Sequence, residues 1–263
     1  MAEVITPREL RAVQNLPFCY ACGETFTDDH RNRDHVPARS CISTSDRAHN
    51  PLILPSHVTC NDSFTVSDER VGQYLSLLHG KLPAHNKSRL NYIKFSRIVG
   101  GKHSQLSQAI TNVDMYGVVW RWIRAFHSAL YQQPIPQNTN YAIELPIDVI
   151  SPTETGHIED GGRVRQRNLC DRTIKRNRLT KTLDRLAGWN GKLLYECVWI
   201  VTPSHAYCVF WLDFYSWRRM ARLNGHEPRD CVGFYQLHVG EMPKQATLET
   251  QIITDENRTR FFL

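Results

Sequence analysis

The spacing of apolar residues divides the N-terminal part of the chain into a polar stretch and a helix. Residues 18–66 contain few apolar runs and are rich in Cys, His, Asp, Asn and Pro. They therefore bury little surface and need an additional stabilising link. Beyond them, apolar residues at helical spacing predict a helix that begins near Thr65 and ends at Gly80. The apolar positions of this helix are Val71, Tyr74, Leu75 and Leu78.

Later patterns predict one long helix followed by strands. Helical spacing predicts a helix over about residues 104–132, and near the N-terminus Thr6 and Glu9 predict a short helix with a capping box. Alternating or continuous apolar runs predict strands, the second and third of them joined as a hairpin. These runs are 141–150, 193–201, 206–215 and 232–239. The whole pattern predicts an α+β protein, with an N-terminal module at residues 1–100 and a companion region at residues 101–263.

Between these elements lie a polar segment and a strongly basic one. Residues 151–162 are expected to form an exposed loop or linker. Residues 163–185 hold nine Lys or Arg against Asp171 and Asp184, which leaves a local charge of +7. The second half of this basic stretch is expected to be helical and to end at Gly188. Concentrated positive charge suits a phosphate-binding surface, and a solvated helix face that binds nothing is the alternative.

Composition narrows the class of protein. Hydrophobic residues make up 41% of the 263 residues, which is typical of a globular chain. No apolar run approaches the length of a membrane-spanning helix, and the N-terminus carries no secretory pattern. We therefore expect a cytoplasmic protein, in which the eight cysteines favour metal binding or burial over disulfides. The net charge of +6 favours a polyanionic partner.

The clearest chemical pattern is a pair of half-sites for a metal ion. Cys19 and Cys22 are separated by two residues, so both thiolates can point at one ion. His57 and Cys60 repeat this spacing with one ligand exchanged. Together they predict a Cys3His set, which suits a structural Zn²⁺ ion. Cys41 is the rival for the fourth ligand position.

Residues between and after the half-sites suit the hydrolysis of a phosphodiester bond. Asp34 and His35 are adjacent, and Asn61 follows the second half-site. An imidazole with a pKa near neutrality is a natural general base, and carboxylate and amide oxygens are hard ligands for Mg²⁺ or Mn²⁺. Neighbouring strand residues point to opposite faces, so Asp34 and His35 act together only if the strand twists or bulges there.

These residues resemble those of the HNH, or ββα-metal, endonucleases that carry a zinc knuckle. The resemblance rests on Cys-x-x-Cys-Gly, Asp-His-Val-Pro and Cys-Asn, and it covers about residues 18–70. It implies a His-Me finger module in which His35 deprotonates the attacking water and Asp34 and Asn61 hold a catalytic Mg²⁺ or Mn²⁺ ion. It also implies that Asn50 orients the strand that bears His35, and that the Cys3His set holds zinc.

The chain departs from the family pattern at two places. His57 stands where the family usually has Cys, an exchange that zinc tolerates because imidazole ligates it well. The interval from Asn50 to Asn61 is longer than in the family pattern, and Pro51 directly follows Asn50.

The resemblance predicts a metal-dependent endonuclease that hydrolyses DNA. One site cuts one strand, so double-strand cutting calls for a homodimer or a second encounter, and the layout suggests a bacterial or phage defence or restriction protein with a partner in a defence complex. A zinc-dependent nucleic-acid-binding subunit without cutting activity and an RNA-cleaving toxin are the alternatives. The residues expected to contact nucleic-acid phosphates are Arg163, Arg165, Arg172, Lys175, Arg176, Arg178 and Lys181.

Three tryptophans lie in or near the predicted C-terminal strands, namely Trp199, Trp211 and Trp217. Exposed aromatic rings in a basic protein can stack on nucleic-acid bases. Large aromatic residues in strands more often belong to the core, and we expect these three to be buried.

Overall fold

The computed structural model of the protein is a mixed α+β structure with a large sheet. It describes residues 1–27, 31–42, 46, 51–78, 93–98, 105–110, 113–146, 160–219 and 230–249. The helices are α1 (Pro7–Ala12), α2 (Val58–Leu78), α3 (Met115–Tyr131) and α4 (Asp160–Thr180). The strands are β1 (Glu3–Val4), β2 (Arg31–His35), β3 (Ile53–His57), β4 (Ile93–Ile98), β5 (Gln105–Ile110), β6 (Tyr141–Glu144), β7 (Asp184–Gly188), β8 (Leu193–Val201), β9 (His205–Phe214), β10 (Cys231–His238) and β11 (Leu248–Glu249).

Seven of the described strands form one sheet. Its order is β1-β7-β8-β9-β10-β6, and β11 pairs with the end of β8 that β7 leaves open. Neighbours from β7 to β6 are antiparallel, whereas β1 and β11 join in parallel. The β8–β9 pair confirms the hairpin predicted from the runs 193–201 and 206–215. β10 confirms the further strand, and β6 confirms the start of the strand predicted over 141–150.

Different helices cover the two faces of this sheet, because successive strand residues point to opposite sides. On β8, Tyr195, Cys197 and Trp199 belong to the hydrophobic cluster that contains α3. Val198 and Ile200 belong to a second cluster that contains residues of α4. α3 therefore lies on one face of the sheet and α4 on the other.

The N-terminal part of the chain shares the core on the α3 side. The cluster that contains α3 also includes Leu10 of α1, Leu54 of β3, and Val71 and Leu75 of α2. These side chains are almost completely buried, so α1, β3 and α2 pack into the same apolar interior as the sheet. Within the described residues, no helix is both long and apolar enough to cross a lipid bilayer.

β2 and β3 form a separate antiparallel pair that leads into α2. Arg31 lies opposite His57, and His35 lies opposite Ile53. His57 is the last residue of β3 and Val58 is the first residue of α2, so no loop separates the second strand from the helix. The helix consequently has a fixed position relative to both strands.

Two predicted helix starts differ in outcome. α1 confirms its predicted capping box, since the Glu9 N–H donates to Thr6 Oγ1 at 3.3 Å and the Thr6 N–H donates to the Glu9 carboxylate at 2.9 Å. The predicted start of α2 near Thr65 is wrong, because the helix begins at Val58. Its first two turns carry mostly polar, solvent-facing residues, so apolar spacing becomes visible only from Val71 onward.

The helix predicted over 104–132 is wrong in its first part. Gln105–Ile110 forms β5, which pairs with β4, and α3 begins only at Met115. The Asp114 carboxylate accepts the Gly117 N–H at 2.8 Å and so caps the helix at this point. Short apolar runs fit a strand as well as a helix, which is why spacing alone merged the two elements.

The basic stretch is helical over more of its length than predicted. α4 begins at Asp160, so the loop expected over 151–162 is wrong at its end, and residues 151–159 lie outside the described part. Lys181 has a φ of +55° and ends the helix in the left-handed conformation. The strand β7 therefore occupies the residues before Gly188, where helix was expected.

Candidate metal centre and adjoining cleft

A tight turn carries the first two predicted metal ligands, Cys19 and Cys22. The Gly23 N–H donates to the Cys19 carbonyl at 2.8 Å, and the Cys19 N–H donates to the Glu24 carbonyl at 2.8 Å. Gly23 has a φ of +87°, a conformation that glycine adopts without steric cost. A Cβ at this position would lie 3.3 Å from the Cβ of Pro134, so the turn also packs closely on the segment after α3.

The four predicted metal ligands lie together, and they are Cys19, Cys22, His57 and Cys60. Their ligand atoms are all within 4.8 Å of one another. His57 Nδ1 lies 3.3 Å from Cys22 Sγ and 4.0 Å from Cys60 Sγ. The rival Cys41 is buried elsewhere, with its Sγ 3.7 Å from the Asp68 carbonyl oxygen. His57 and not Cys41 therefore completes a cluster that could hold a metal ion such as zinc.

The donor set fits zinc chemistry. Three thiols and one imidazole provide a closed tetrahedral shell, the usual arrangement of structural zinc sites. Burial raises the pKa of Cys60 to about 12 and also raises the pKa of Cys22, so these two thiols stay protonated when no cation is near. A bound divalent ion reverses this preference because a coordinating thiol loses its proton. The cluster could therefore hold a metal ion such as zinc.

Two of the four cluster residues lie at the junction between β3 and α2. His57 ends β3, Cys60 lies in the first turn of α2, and Asn61 is the next residue. β2, which carries Asp34 and His35, is paired with β3 along its whole length. An ion held by the cluster would therefore fix the junction and, through it, the relative position of Asn61 and β2.

A cleft of about 460 Å³ opens beside this junction. One wall comes from α2, whose contributing residues are three or four positions apart and so share a helix face. The other wall comes from β2 and the residues that follow it. The α2 residues are Asn61, Thr65, Asp68 and Glu69, and the others are Arg33, Asp34, His35, Ala38, Arg39 and Ser40.

The cleft brings together three of the four residues that the HNH resemblance singles out. Asp34, His35 and Asn61 all line it, although the first two are neighbours in one strand. Asp34 is buried and His35 is half-buried. Asn50, the fourth residue, lies outside the described residues.

The imidazole of His35 accepts a hydrogen bond from Arg39. Arg39 Nε lies 3.1 Å from His35 Nε2. A guanidinium only donates, so Nε2 is the unprotonated ring nitrogen and a neutral ring carries its proton on Nδ1. Burial, together with the charge of Arg39, lowers the pKa of His35 to about 4. His35 is consequently neutral at pH 7, with a lone pair at Nε2.

Tyr20 and Arg121 hold the carboxylate of Asp34. The Tyr20 hydroxyl donates to Asp34 Oδ2, and Arg121 Nη1 lies 3.7 Å from the same oxygen. Burial raises the pKa of Asp34, while Arg121 and Tyr20 oppose the rise. Tyr20 directly follows Cys19, so the turn that carries the metal ligands also positions Asp34.

Arg121 connects α3 to the cleft. Its Nη2 lies 2.6 and 2.5 Å from the two carboxylate oxygens of Asp68, and its guanidinium lies 4.5 Å from the ring centre of Phe64. The side chain is 1% exposed, so this ion pair is fully buried. Burial raises the pKa of Asp68 to about 6 against the opposing charge of Arg121. Both oxygens of Asp68 therefore contact Arg121, which also reaches Asp34.

The basic stretch lies on the other side of the sheet from the cleft. α4 packs on the face opposite α3, and none of the described residues that line the cleft comes from α4. Arg178 Nε donates to Glu196 Oε2 at 2.5 Å, and the Arg178 guanidinium lies 4.0 Å from the ring centre of Trp211. Lys175 Nζ donates to Asp171 Oδ2 at 2.5 Å. Two of the cations expected to bind phosphate therefore have carboxylate partners within the chain.

The remaining basic residues of α4 and the tryptophans are placed as follows. Arg172, Arg176 and Lys181 are exposed, while Arg163 and Arg165 belong to the first turns of the helix. Trp199 and Trp217 are buried, as predicted, and Trp211 is half-buried beneath Arg178. The tryptophan rings of the sheet thus belong mainly to the core.

Sequence reasoning missed the groups that surround the predicted residues, namely Tyr20, Arg39, Asp68 and Arg121. A signal existed for Arg121, because it interrupts the apolar run of α3 and a charged residue in such a run is buried only with a partner. Asp68 lies two turns after Asn61 on the same face of α2, a relation that becomes visible only when α2 starts at Val58.

Comparisons of the chain with models of known protein families, with curated proteins and with solved structures give no match. The geometry of the cleft and of the metal centre therefore carries the functional argument.

Proposed function

We propose that the protein is a metal-dependent endonuclease that hydrolyses the phosphodiester bonds of DNA. The observation that carries this proposal is the convergence of His35, Asp34 and Asn61 on one cleft beside the Cys3His cluster. The order β2, β3, α2 supports it, because the resemblance to HNH endonucleases implies two strands followed by a helix. The proposed general base and oxygen donors belong to this unit, as do His57 and Cys60 of the Cys3His cluster, whereas Cys19 and Cys22 precede it.

Asp34 and Asn61 would hold the catalytic divalent ion. Both offer oxygen donors, which Mg²⁺ and Mn²⁺ prefer. Carboxylates and two guanidinium groups line the cleft together, so it offers contacts both to a cation and to a phosphate. The ion, when bound, would stabilise the negative charge that develops on the phosphate.

His35 would take the proton of the attacking water at Nε2. In the free protein this nitrogen carries the lone pair, and Arg39 donates to it. An anionic phosphate oxygen is a stronger acceptor for a guanidinium than a neutral imidazole is. A bound phosphodiester would therefore draw Arg39 away from His35 and leave Nε2 open to a water molecule. The pKa of about 4 keeps His35 unprotonated at pH 7, so the base is ready without a prior proton loss.

The Cys3His cluster would serve the structure and not the reaction. Four protein ligands close the tetrahedral shell and leave no position for a reactive water. Tyr20 and Asn61 directly follow Cys19 and Cys60, so zinc at the cluster would position Asn61 in the cleft wall and, through the Tyr20 hydroxyl, the carboxylate of Asp34. A single reactive site would cut one strand, and double-strand cutting would involve a homodimer or a protein partner, as in bacterial or phage defence and restriction.

The test is a cleavage assay on the full chain purified with zinc. Supercoiled plasmid, single-stranded DNA and RNA are each incubated with Mg²⁺, with Mn²⁺, or with neither ion. We expect DNA cleavage only when Mg²⁺ or Mn²⁺ is added. His35→Ala should lower the rate by about 10²- to 10⁴-fold, the usual contribution of a general base, without loss of zinc.

The matched control is His238→Ala, which removes an exposed histidine at the end of β10 and should leave the rate unchanged. Cleavage by His35→Ala at the wild-type rate would refute the assigned base. Cleavage of RNA alone would favour the RNA-cleaving toxin, and binding of nucleic acid without any cleavage would favour a zinc-dependent binding subunit.

A further inference from the structure

We infer that a row of three arginines, Arg31, Arg33 and Arg39, is the surface that holds the phosphodiester backbone of the substrate strand. This inference rests on the proposed nuclease function and assigns its substrate-binding surface to β2 and the turn after it. The basic stretch of α4, although richer in charge, would not carry the substrate. The chemistry recognised is the phosphodiester backbone, which DNA and RNA share.

The geometry of β2 places two of these arginines beside the proposed base. Arg31, Arg33 and His35 alternate with Asn32 and Asp34, so the three share one face of the strand. Both arginines are exposed, whereas Asp34 is buried. Residues two apart on a strand are separated by about 6.6 Å, so the row extends along one direction rather than forming a compact cluster. A row of this kind suits an extended polyanion.

The row runs from the metal centre to the cleft. At one end, the Arg31 guanidinium donates to the Gln14 carbonyl at 3.0 Å and lies 5.4 Å from the ring centre of Phe26. The Phe26 ring in turn packs edge-on against the metal ligand His57, with ring centres 5.0 Å apart. At the other end, Arg33 and Arg39 line the cleft. A strand bound along the row would therefore be led to the cleft that contains His35.

Arg39 is the arginine of the row that contacts His35, the proposed general base. Its Nε donates to His35 Nε2 at 3.1 Å, and its side chain lines the cleft. Arg33 approaches the cleft from β2, and Arg39 approaches it from the 3₁₀ turn Arg39–Cys41. Two guanidinium groups on different elements can grip one phosphate from two sides, which gives a defined position to the bond that is cut.

α4 is a poorer candidate on both position and charge. It covers the sheet face opposite α3, whereas the cleft is joined to α3 through the ion pair between Arg121 and Asp68. Of its cations, Arg178 is paired with Glu196 and stacked on Trp211. The basic stretch therefore serves in part to fasten the helix to the sheet.

The test measures nucleic-acid binding by the full chain in the His35→Ala background, so that cleavage does not interfere. Arg31→Glu/Arg33→Glu reverses two charges of the row, and Arg172→Glu/Lys181→Glu reverses two exposed charges at α4. Anisotropy of labelled duplex DNA, single-stranded DNA and RNA is measured over a series of salt concentrations. Loss of two phosphate contacts should lower the slope of log affinity against log salt by about 2 for the row variant, with affinity reduced about tenfold or more.

We expect the α4 variant to bind within twofold of the background protein. Loss of affinity in the α4 variant with normal binding by the row variant would overturn the inference. Arg31→Gln/Arg33→Gln is a milder second variant that removes the same contacts if charge reversal prevents folding, and zinc content reports on the fold of each. Cleavage by the wild-type protein, measured in parallel, separates the two proposals. If the wild type cleaves DNA and the row variant binds normally, only this inference is refuted. If binding depends on the row and the wild type does not cleave, only the proposed nuclease function is refuted.

Discussion

The large sheet and the region of residues 18–78 are held together by different means. In the sheet, alternating apolar residues fill two faces, each covered by one helix. Residues 18–78 share part of that apolar core, and they also contain the Cys3His cluster and Asp68, which forms a buried ion pair with Arg121 of α3. Hydrophobic burial is non-directional and tolerates many arrangements, whereas metal ligation and ion pairing demand particular atoms at particular distances. The cleft therefore lies in the region where particular atoms are held at particular distances.

Both regions contain buried polar groups, some with several hydrogen-bond partners and some with none. Asp184 in the sheet is completely buried and accepts hydrogen bonds from three separate segments. The donors are the Ala2 N–H at 2.6 Å, the Tyr131 hydroxyl at 2.7 Å and the Thr247 hydroxyl at 2.8 Å. Within the described residues, Arg121 Nε and Nη1 beside the cleft have no hydrogen-bond partner, and neither does His127 Nε2 beside the sheet.

The largest expected effect comes from breaking the metal cluster. Cys19→Ser should remove the bound zinc and lower the free energy of unfolding of residues 18–78 by up to about 10 kcal/mol, since structural zinc contributes directly to folding. Zinc content by mass spectrometry and hydrogen exchange along the chain measure the two effects. We expect the amides of β2 and α2 to lose protection while those of β8 and β9 keep it.

Cys41→Ser is the control, because Cys41 is a buried cysteine that does not belong to the cluster. It should retain one zinc ion per chain. Equal loss of protection in the sheet and in β2 would show that the two regions unfold together, and the contrast between them would then be wrong.

A smaller effect is expected from the buried arginine of the cleft. Arg121→Met leaves the carboxylates of Asp34 and Asp68 without their shared cation, and loss of one partner of a buried ion pair costs about 3–5 kcal/mol. The matched change on the sheet is Arg178→Met, whose pair with Glu196 is partly exposed and worth about 1 kcal/mol or less. Urea unfolding of both variants gives the comparison.

A double variant sharpens this result. Arg121→Met/Asp68→Asn removes one of the unpaired charges and should recover part of the lost free energy of unfolding. If Arg121→Met and Arg178→Met cost the same, the ion pair in the cleft contributes no more than a surface pair does.

The smallest effect concerns acid sensitivity of the sheet core. His127 is fully buried, its Nδ1 lies 2.7 Å from the Tyr235 hydroxyl, and burial lowers the pKa of His127 to about 3. The unfolded chain takes up a proton below pH 6.5 while the folded protein does not, so stability falls as pH drops from 6.5 toward 3. At pH 5 this loss amounts to about 2 kcal/mol relative to neutral pH.

The measurement is urea unfolding of the wild type and of His127→Gln at pH 7 and pH 5. The variant should lose about 2 kcal/mol less than the wild type between the two pH values, because Gln does not titrate. An identical loss in both proteins would mean that His127 does not contribute to acid sensitivity.

Much of the molecule follows from local patterns. Thr6 and Glu9 predict their capping box, and the spacing of Cys19, Cys22, His57 and Cys60 predicts the cluster, because these signals depend on residues a few positions apart. The start of α2 and the split between β5 and α3 were not predictable from spacing, since polar first turns and short apolar runs have no unique period. The proposed boundary between residues 1–100 and 101–263 stays a prediction.

By itself, the sequence determined the α+β class, the Cys3His cluster that could hold a metal ion, and the presence of Asp34, His35 and Asn61 beside it in the chain. Only the tertiary structure decided what these residues contact. It placed Arg39 on His35, Tyr20 and Arg121 on Asp34, and α4 on the far face of the sheet. The physical reason is that ligand spacing is a local property of the chain. The partner of a buried charge comes from wherever the fold brings an opposite charge, and that can be dozens of residues away.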